Sequence, residues 1–343
     1  MSKLKAPFPY AGGKSTVAAQ VWERLGNTPN YVEPFFGSGA VLLSRPHSPK
    51  DETVNDADGL LCNVWRSIQY TPMEVAQHAT YPVNECDLHA RHLWLCGQRE
   101  SITSRLMADP DFYDAKAAGW WIWGACSWIG SGWCSGTGKW INKNGVFSER
   151  DKESVEVGGL RQLPHLRNNG GGINSVHCQG EGVSYQLPHL GDSGRGPNRP
   201  TVNVEDWFNA LFSRLKRTRV ACGDWSRVMG ESVTIKHGLT AVFLDPPYQD
   251  GEHSFGYAGG GNVFEEAWSW ALDNGDNPLL RIALCGYTDG RIAPEGWEVF
   301  KWKSQGGYSG QGDGQGRVNS KRETIWFSPH CLKLSQGLFG GES

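Results

Sequence analysis

The tetrapeptide Asp245-Pro246-Pro247-Tyr248 closes an apolar run over residues 239–244. Two prolines cannot continue a central strand, so the run stops there, and Asp245 and Tyr248 project from a strand's carboxyl end. Open α/β sheets bind their ligands at that edge. An exocyclic amine conjugated to an aromatic ring is a poor nucleophile, because its lone pair is delocalised into the ring. The Asp245 carboxylate and the Pro246 carbonyl can together hold both N–H protons of such an amine. That grip favours a pyramidal nitrogen with its lone pair free to attack, while Tyr248 can stack on the ring. Standing alone, the tetrapeptide is better read as a tight turn at a strand end.

Two further segments could serve the same edge. Phe35-Phe36-Gly37-Ser38-Gly39 follows a short apolar run, and a glycine turn there lets a ligand approach the backbone. The dinucleotide fingerprint G-x-G-x-x-G needs a small residue at 42, where Leu42 stands, so a ligand without a pyrophosphate fits better. Asp56 follows Gly37 by 19 residues, the spacing at which an acid after the second strand takes ribose hydroxyls; Asp58 is close by. Near the N-terminus, Gly13-Lys14-Ser15 ends like a phosphate-binding loop. Phe8 occupies the place of that loop's first glycine, and Pro7 and Pro9 suit no preceding central strand. Lys14 therefore needs a partner other than a nucleotide phosphate.

The elements that must position these residues can be read from periodicity. Residues 30–44 and 51–68 each read as strand, turn and helix, two β-α units that predict a parallel sheet. Residues 85–109 read as one long helix and 114–129 as a second, very apolar one whose tryptophans suit a core. The stretch 130–200 is rich in Gly, Ser, Asn and His and reads as irregular surface loops. It repeats Gln-Leu-Pro-His-Leu 24 residues apart, at 162 and 186. Residues 204–218 form an amphipathic helix with Trp207, Leu211 and Leu215 on one face. Strand-like runs follow at 219–224, 239–248, 279–287, 297–303 and 323–329.

Composition narrows the classes. The chain has 343 residues and a net charge of −3, so no global basic field advertises nucleic acid and any such surface is local. No apolar run reaches the roughly 20 residues of a membrane helix, and residues 1–14 hold no apolar signal core. The 9 cysteines are scattered without a C-x-x-C pair, which points to reduced thiols in a cytoplasmic protein and away from a zinc ribbon. His165 and His189 of the repeat lack nearby partner ligands, and no metal is expected.

Taken in order, "PFPYAGGK" (7–14), "EPFFGSG" (33–39) and "DPPY" (245–248) resemble the Dam-type, D12 class DNA adenine N6-methyltransferases, over about residues 1–70 and 204–328. The resemblance implies a Rossmann-like class I methyltransferase sheet with an inserted, mainly helical target-recognition region. It implies transfer of a methyl group from S-adenosyl-L-methionine to the N6 amine of a flipped-out adenine in double-stranded DNA. By the same resemblance Tyr10, Gly13 and Lys14 hold the cofactor, Lys14 through its carboxylate. Glu33, Pro34, Phe35, Gly37, Ser38 and Gly39 line its methionine side, Asp56 takes the ribose, and Asp224 lies at a cofactor or base pocket. Asp245, Pro246, Pro247 and Tyr248 grip the adenine. A sulfonium makes the methyl group electrophilic, so neither a metal nor a covalent enzyme intermediate is needed.

Residues 126–140 sit where relatives carry a target-contacting stretch, which places Ser131, Trp133 and Ser135 near DNA; Lys139 and Lys143 are local phosphate candidates. Ser131 and Ser135 stand where the family has Asn and Arg, so the target sequence does not follow. Arg317, Lys321 and Arg322 beside a glycine-rich stretch (304–317), and Arg214, Lys216, Arg217 and Arg219, are further phosphate candidates. The expected organisation is a cofactor-binding half (1–83), a recognition region (84–203) with an insertion at about 150–200 like those of phage-borne relatives, a catalytic half (204–330) and a tail (331–343). A monomer in a bacterial or phage-infected cell is the favoured setting. Two other readings stay open: N4-cytosine methylation, and a catalytically inactive methyltransferase fold that binds DNA.

Overall fold

A computed structural model describes residues 4–10, 12–128, 133–134, 140–143, 146–149, 203–247, 263–287, 291–302 and 323–333. The 150–200 insertion with its repeat, the glycine-rich 304–317 and Tyr248 lie outside the described residues.

The strands are short, four to eight residues each. In chain order, β1 (Asn30–Glu33), β2 (Asp51–Asp56), β5 (Arg219–Cys222), β6 (Thr240–Leu244), β7 (Leu280–Tyr287), β8 (Glu298–Lys301) and β9 (Glu323–Phe327) form one sheet in the order β5-β2-β1-β6-β7-β9-β8. The pairs from β5 through β7 are all parallel, and only β9 runs against its two neighbours. β1, β6 and β9 are buried along their whole length, as expected of strands covered on both faces. A seven-stranded, mostly parallel sheet of this kind is consistent with a methyltransferase fold. The strand order reverses between β1 and β6, and their carboxyl ends open the crevice that such sheets use for ligands.

Eight helices accompany the sheet among the described residues: α1 (Ala18–Leu25), α2 (Ala40–Leu43), α3 (Gly59–Tyr70), α4 (Pro72–Ala79), α5 (Glu85–Ala108), α6 (Ala115–Ser127), α7 (Val204–Leu215) and α8 (Val263–Asn274). Their starts are written in the sequence. Asp58, Asn84, Asp114 and Asn203 each accept a backbone N–H of the following turn. On α7 the buried stripe is Trp207, Phe208, Leu211 and Leu215, the face predicted for it. The α6 tryptophans are core: Trp121 and Trp123 are buried, and α6 packs on α3 and α4. Buried side chains of α5 and α6 belong to the same apolar cluster as those of α1, α3 and α7.

One element falls where the sequence suggested loops. β3 (Trp140–Lys143) and β4 (Val146–Glu149) pair antiparallel as a separate hairpin. Asn144-Gly145 between them is a favoured hairpin-turn composition.

The amino edge of the sheet is tied by charge. Glu52, 2% exposed, accepts Arg45 at 2.9 Å and Arg214 at 2.7 Å; Arg214 also donates to the Leu42 carbonyl. Arg219 reaches Asp51 at 3.4 Å. Arg214 and Arg219, read from sequence as phosphate contacts, are thus engaged with acids that begin β2, at the end of the sheet opposite the crevice.

Candidate functional site

The chain leaving β1 folds into the glycine turn because two positions there demand glycine. Gly37 has φ 47° and Gly39 φ 61°, the left-handed region. A Cβ on Gly37 would lie 2.7 Å from the Tyr10 ring, and one on Gly39 would lie 2.5 Å from the Phe36 ring. The turn is held by Phe36 N–H donating to Asn55 O at 2.9 Å and by Trp65 Nε1–H donating to Gly37 O at 3.0 Å. Tyr10, 41% exposed, therefore lies over the turn, and Gly13 sits beside Ser38. Phe8 anchors this N-terminal segment, its ring packed against those of Trp65 and Trp121.

Asp56 ends β2 and reaches the same turn. One carboxylate oxygen accepts the Gly37 N–H at 2.9 Å and the other accepts the Asp58 N–H at 2.9 Å. A carboxylate has about four acceptor positions, so it can still take ligand hydroxyls. Burial raises the Asp56 pKa to about 6, although the N–H donors pull against that rise. Asp58 accepts the Leu60 N–H at 2.9 Å and Arg99 at 2.6 Å, which joins this edge to α5. Asn55 donates to Pro34 O at 3.1 Å and to Gly223 O at 2.9 Å, tying the ends of β1 and β5 across β2. Asp224, just past β5, is exposed and caps the 3-10 turn Trp225–Val228; Trp225 stacks on Phe35 with centroids 5.7 Å apart.

Asp245 leaves β6 on the other side of the strand-order reversal. Lys14 Nζ lies 2.9 Å from Asp245 Oδ1 and donates to Gly12 O at 2.9 Å. Lys14 is 4% exposed and Asp245 20% exposed in side-chain terms. Burial opposes the ammonium charge most strongly, but the Asp245 carboxylate, together with Cys285 and Glu323 nearby, holds the Lys14 pKa above its ordinary value. The sequence reading assigned Lys14 to a carboxylate of the cofactor; in the structure the carboxylate beside it is that of Asp245. Pro246 is buried and Pro247 half-buried behind it.

Glu33 points inward. It is 2% exposed, accepts the Tyr31 hydroxyl at 2.8 Å, and burial pushes its pKa well up.

The structure thus brings together Tyr10, Gly13, Lys14, Gly37, Ser38, Asp56 and Asp245. Of the residues placed near DNA, Trp133 is half-buried. Its indole N–H is spent on Trp121 O at 3.0 Å, and its ring fills the space beside Gly124. Lys143 lies in β3. Ser131, Ser135, Lys139, Arg317, Lys321 and Arg322 lie outside the described residues. Sequence reasoning missed Asn55, Arg99 and Trp65. For Asn55 the available signal was a polar residue at an inward position of a buried strand, which needs partners.

The family model for D12 class N6 adenine-specific DNA methyltransferases matches residues 10–88, which span the Lys14 segment, the glycine turn and Asp56. That match supports this family and, with it, a methyltransferase that acts on DNA adenine. No curated protein matches the chain.

Proposed function

We propose that the chain is a site-specific DNA adenine N6-methyltransferase using S-adenosyl-L-methionine. The observation that carries this reading is the convergence of three separate segments on one sheet edge. Lys14, the Gly37–Gly39 turn with Asp56, and Asp245 come from distant parts of the chain and meet at the strand-order reversal.

The residues fit the cofactor. Asp56 is a half-buried acceptor with free lone pairs suited to ribose hydroxyls. The Tyr10 ring and the Cβ-free Gly37 leave a flat, close-approach surface beside it. The cofactor supplies an electrophilic methyl group on sulfur. The chain's own residues orient the acceptor amine. The Asp245 carboxylate and Pro246 carbonyl accept its two N–H protons and keep the nitrogen lone pair out of the ring. The ion pair with Lys14 holds the Asp245 carboxylate in place, aimed as an acceptor while positive charge develops on the nitrogen. Tyr248 stacks on the flipped base. Residues 84–203 and the basic residues near 317–322 serve target recognition. The cytoplasm of a bacterial or phage-infected cell is the setting.

N4-cytosine methylation needs the same grip on an amine, and an inactive fold would bind DNA without turnover. Incubation with methyl-tritiated cofactor and mixed-sequence duplex DNA tests the proposal: label is expected in the DNA. Retained DNA binding without transfer of label would support the inactive fold.

A further inference from the structure

A second cluster of chemically competent side chains lies away from the crevice. His92 and Cys96 are four residues apart on α5, so they share a face one turn apart, a spacing that suits two ligands to one ion. Cys134, distant in sequence, is brought to the same face. The candidate ligand atoms of the three residues all lie within 4.8 Å of one another. We propose that His92, Cys96 and Cys134 bind a divalent cation of zinc's class, with an exogenous ligand such as water completing the tetrahedron.

The distances fit that geometry. Tetrahedral zinc with Zn–S of about 2.3 Å and Zn–N of about 2.05 Å places a ligating sulfur and nitrogen roughly 3.6 Å apart. His92 Nε2 and Cys96 Sγ are 3.7 Å apart. The chemistry fits too, because two thiolates and an imidazole are borderline-soft donors that select zinc over magnesium or calcium. Binding releases the two thiol protons to solvent, and the ion takes their place. The His92 ring also accepts the Cys134 N–H at Nδ1, at 3.4 Å. That contact is long; it yields if the ring proton moves to Nδ1 when Nε2 takes the ion.

The surroundings are those of a built site. His92 is 4% and Cys134 1% exposed. The Trp128 and Trp133 rings flank the imidazole, with centroids at 4.9 and 5.3 Å, and hold it in one orientation. Cys134 has φ 52°, a left-handed conformation that few non-glycine residues adopt, and such outliers cluster at functional positions. The Cys134 carbonyl accepts Arg99, which also pairs with Asp58. An ion here would fasten the chain beyond α6 to α5 and, through Arg99, brace the turn that carries Asp56. The sequence offered no C-x-x-C pair; the triad exists only through the fold.

Metal analysis of protein purified with a reductant and without chelators tests this, and about one zinc per chain is expected. After removal of zinc, titration with Co2+ should give tetrahedral d–d bands and sulfur-to-cobalt charge transfer. Cys96→Ser and Cys134→Ser should each weaken that charge transfer and lower zinc content, while Cys86→Ser, an exposed position on the same helix, should leave both unchanged. Wild-type protein that retains no zinc and gives no cobalt bands would overturn the proposal. So would cobalt bands that survive unchanged in a folded Cys96→Ser/Cys134→Ser chain. Recovery of a Cys96–Cys134 disulfide from cells alkylated at lysis would overturn it as well.

Discussion

Replacing Asp245 with alanine should do two separable things, because the carboxylate has two neighbours: the incoming amine and Lys14. At 2.9 Å the pair attracts by roughly 6 kcal/mol at an effective dielectric of 20. Solvent at the partly exposed carboxylate and the pair's own desolvation reduce what is lost. Removing one partner and leaving a buried lysine is expected to cost about 3 kcal/mol of stability. Catalysis should fall by about 10²–10³, as when a charge-stabilising contact of the transition state is removed. Asp245→Ala/Lys14→Met separates the effects, since it also removes the buried ammonium and leaves an apolar stem of similar length. Urea unfolding and single-turnover methylation at saturating cofactor are the assays. The double variant should recover most of the stability and none of the rate. Recovery of rate together with stability, or an Asp245→Ala rate within about threefold of wild type, well short of that loss, would refute the role given to Asp245.

Four further outcomes are expected. Cofactor affinity should weaken as pH falls through about 6, because Asp56 then takes a proton and loses acceptor capacity; Asp56→Asn should bind weakly at all pH values and lose that titration in calorimetry. The same carboxyl acts on stability in the opposite sense: its pKa is raised from 3.8, so its contribution is whole below that value and is lost as pH rises through about 6. Gly37→Ala forces a Cβ against Tyr10 at a left-handed position, and should weaken cofactor binding about tenfold in calorimetry, from a strain of about 1–2 kcal/mol. Glu52→Ala strands Arg45 and Arg214 at the amino edge, and should cost about 3–5 kcal/mol in urea unfolding while leaving the rate of the folded protein unchanged.

Much of the sheet was legible because its signals are local. The runs around residues 240–244 and 280–287 are short and mostly apolar, and 30–33 is set off by Pro29 and Pro34; each became a buried strand. The acidic and amide caps at Asp58, Asn84 and Asp114 likewise start helices from their own side chains. The pairings that join distant segments were not legible. Lys14 with Asp245, Glu52 with Arg214, and Cys134 with His92 depend on which strands become neighbours, and no local pattern carries that information. Arg214 shows the cost of reading charge alone: on a helix surface it resembled a phosphate contact, yet its partner is a buried glutamate. The β3–β4 hairpin was overlooked because the Asn144-Gly145 dipeptide between its strands lies next to a long glycine-rich stretch of sequence.

The most direct test of the central claim is nucleoside mass spectrometry of duplex DNA incubated with the purified protein and S-adenosyl-L-methionine. The account predicts N6-methyladenine, absent when Asp245→Ala protein is used. N4-methylcytosine without N6-methyladenine, or no methylated base despite intact cofactor binding, would contradict it.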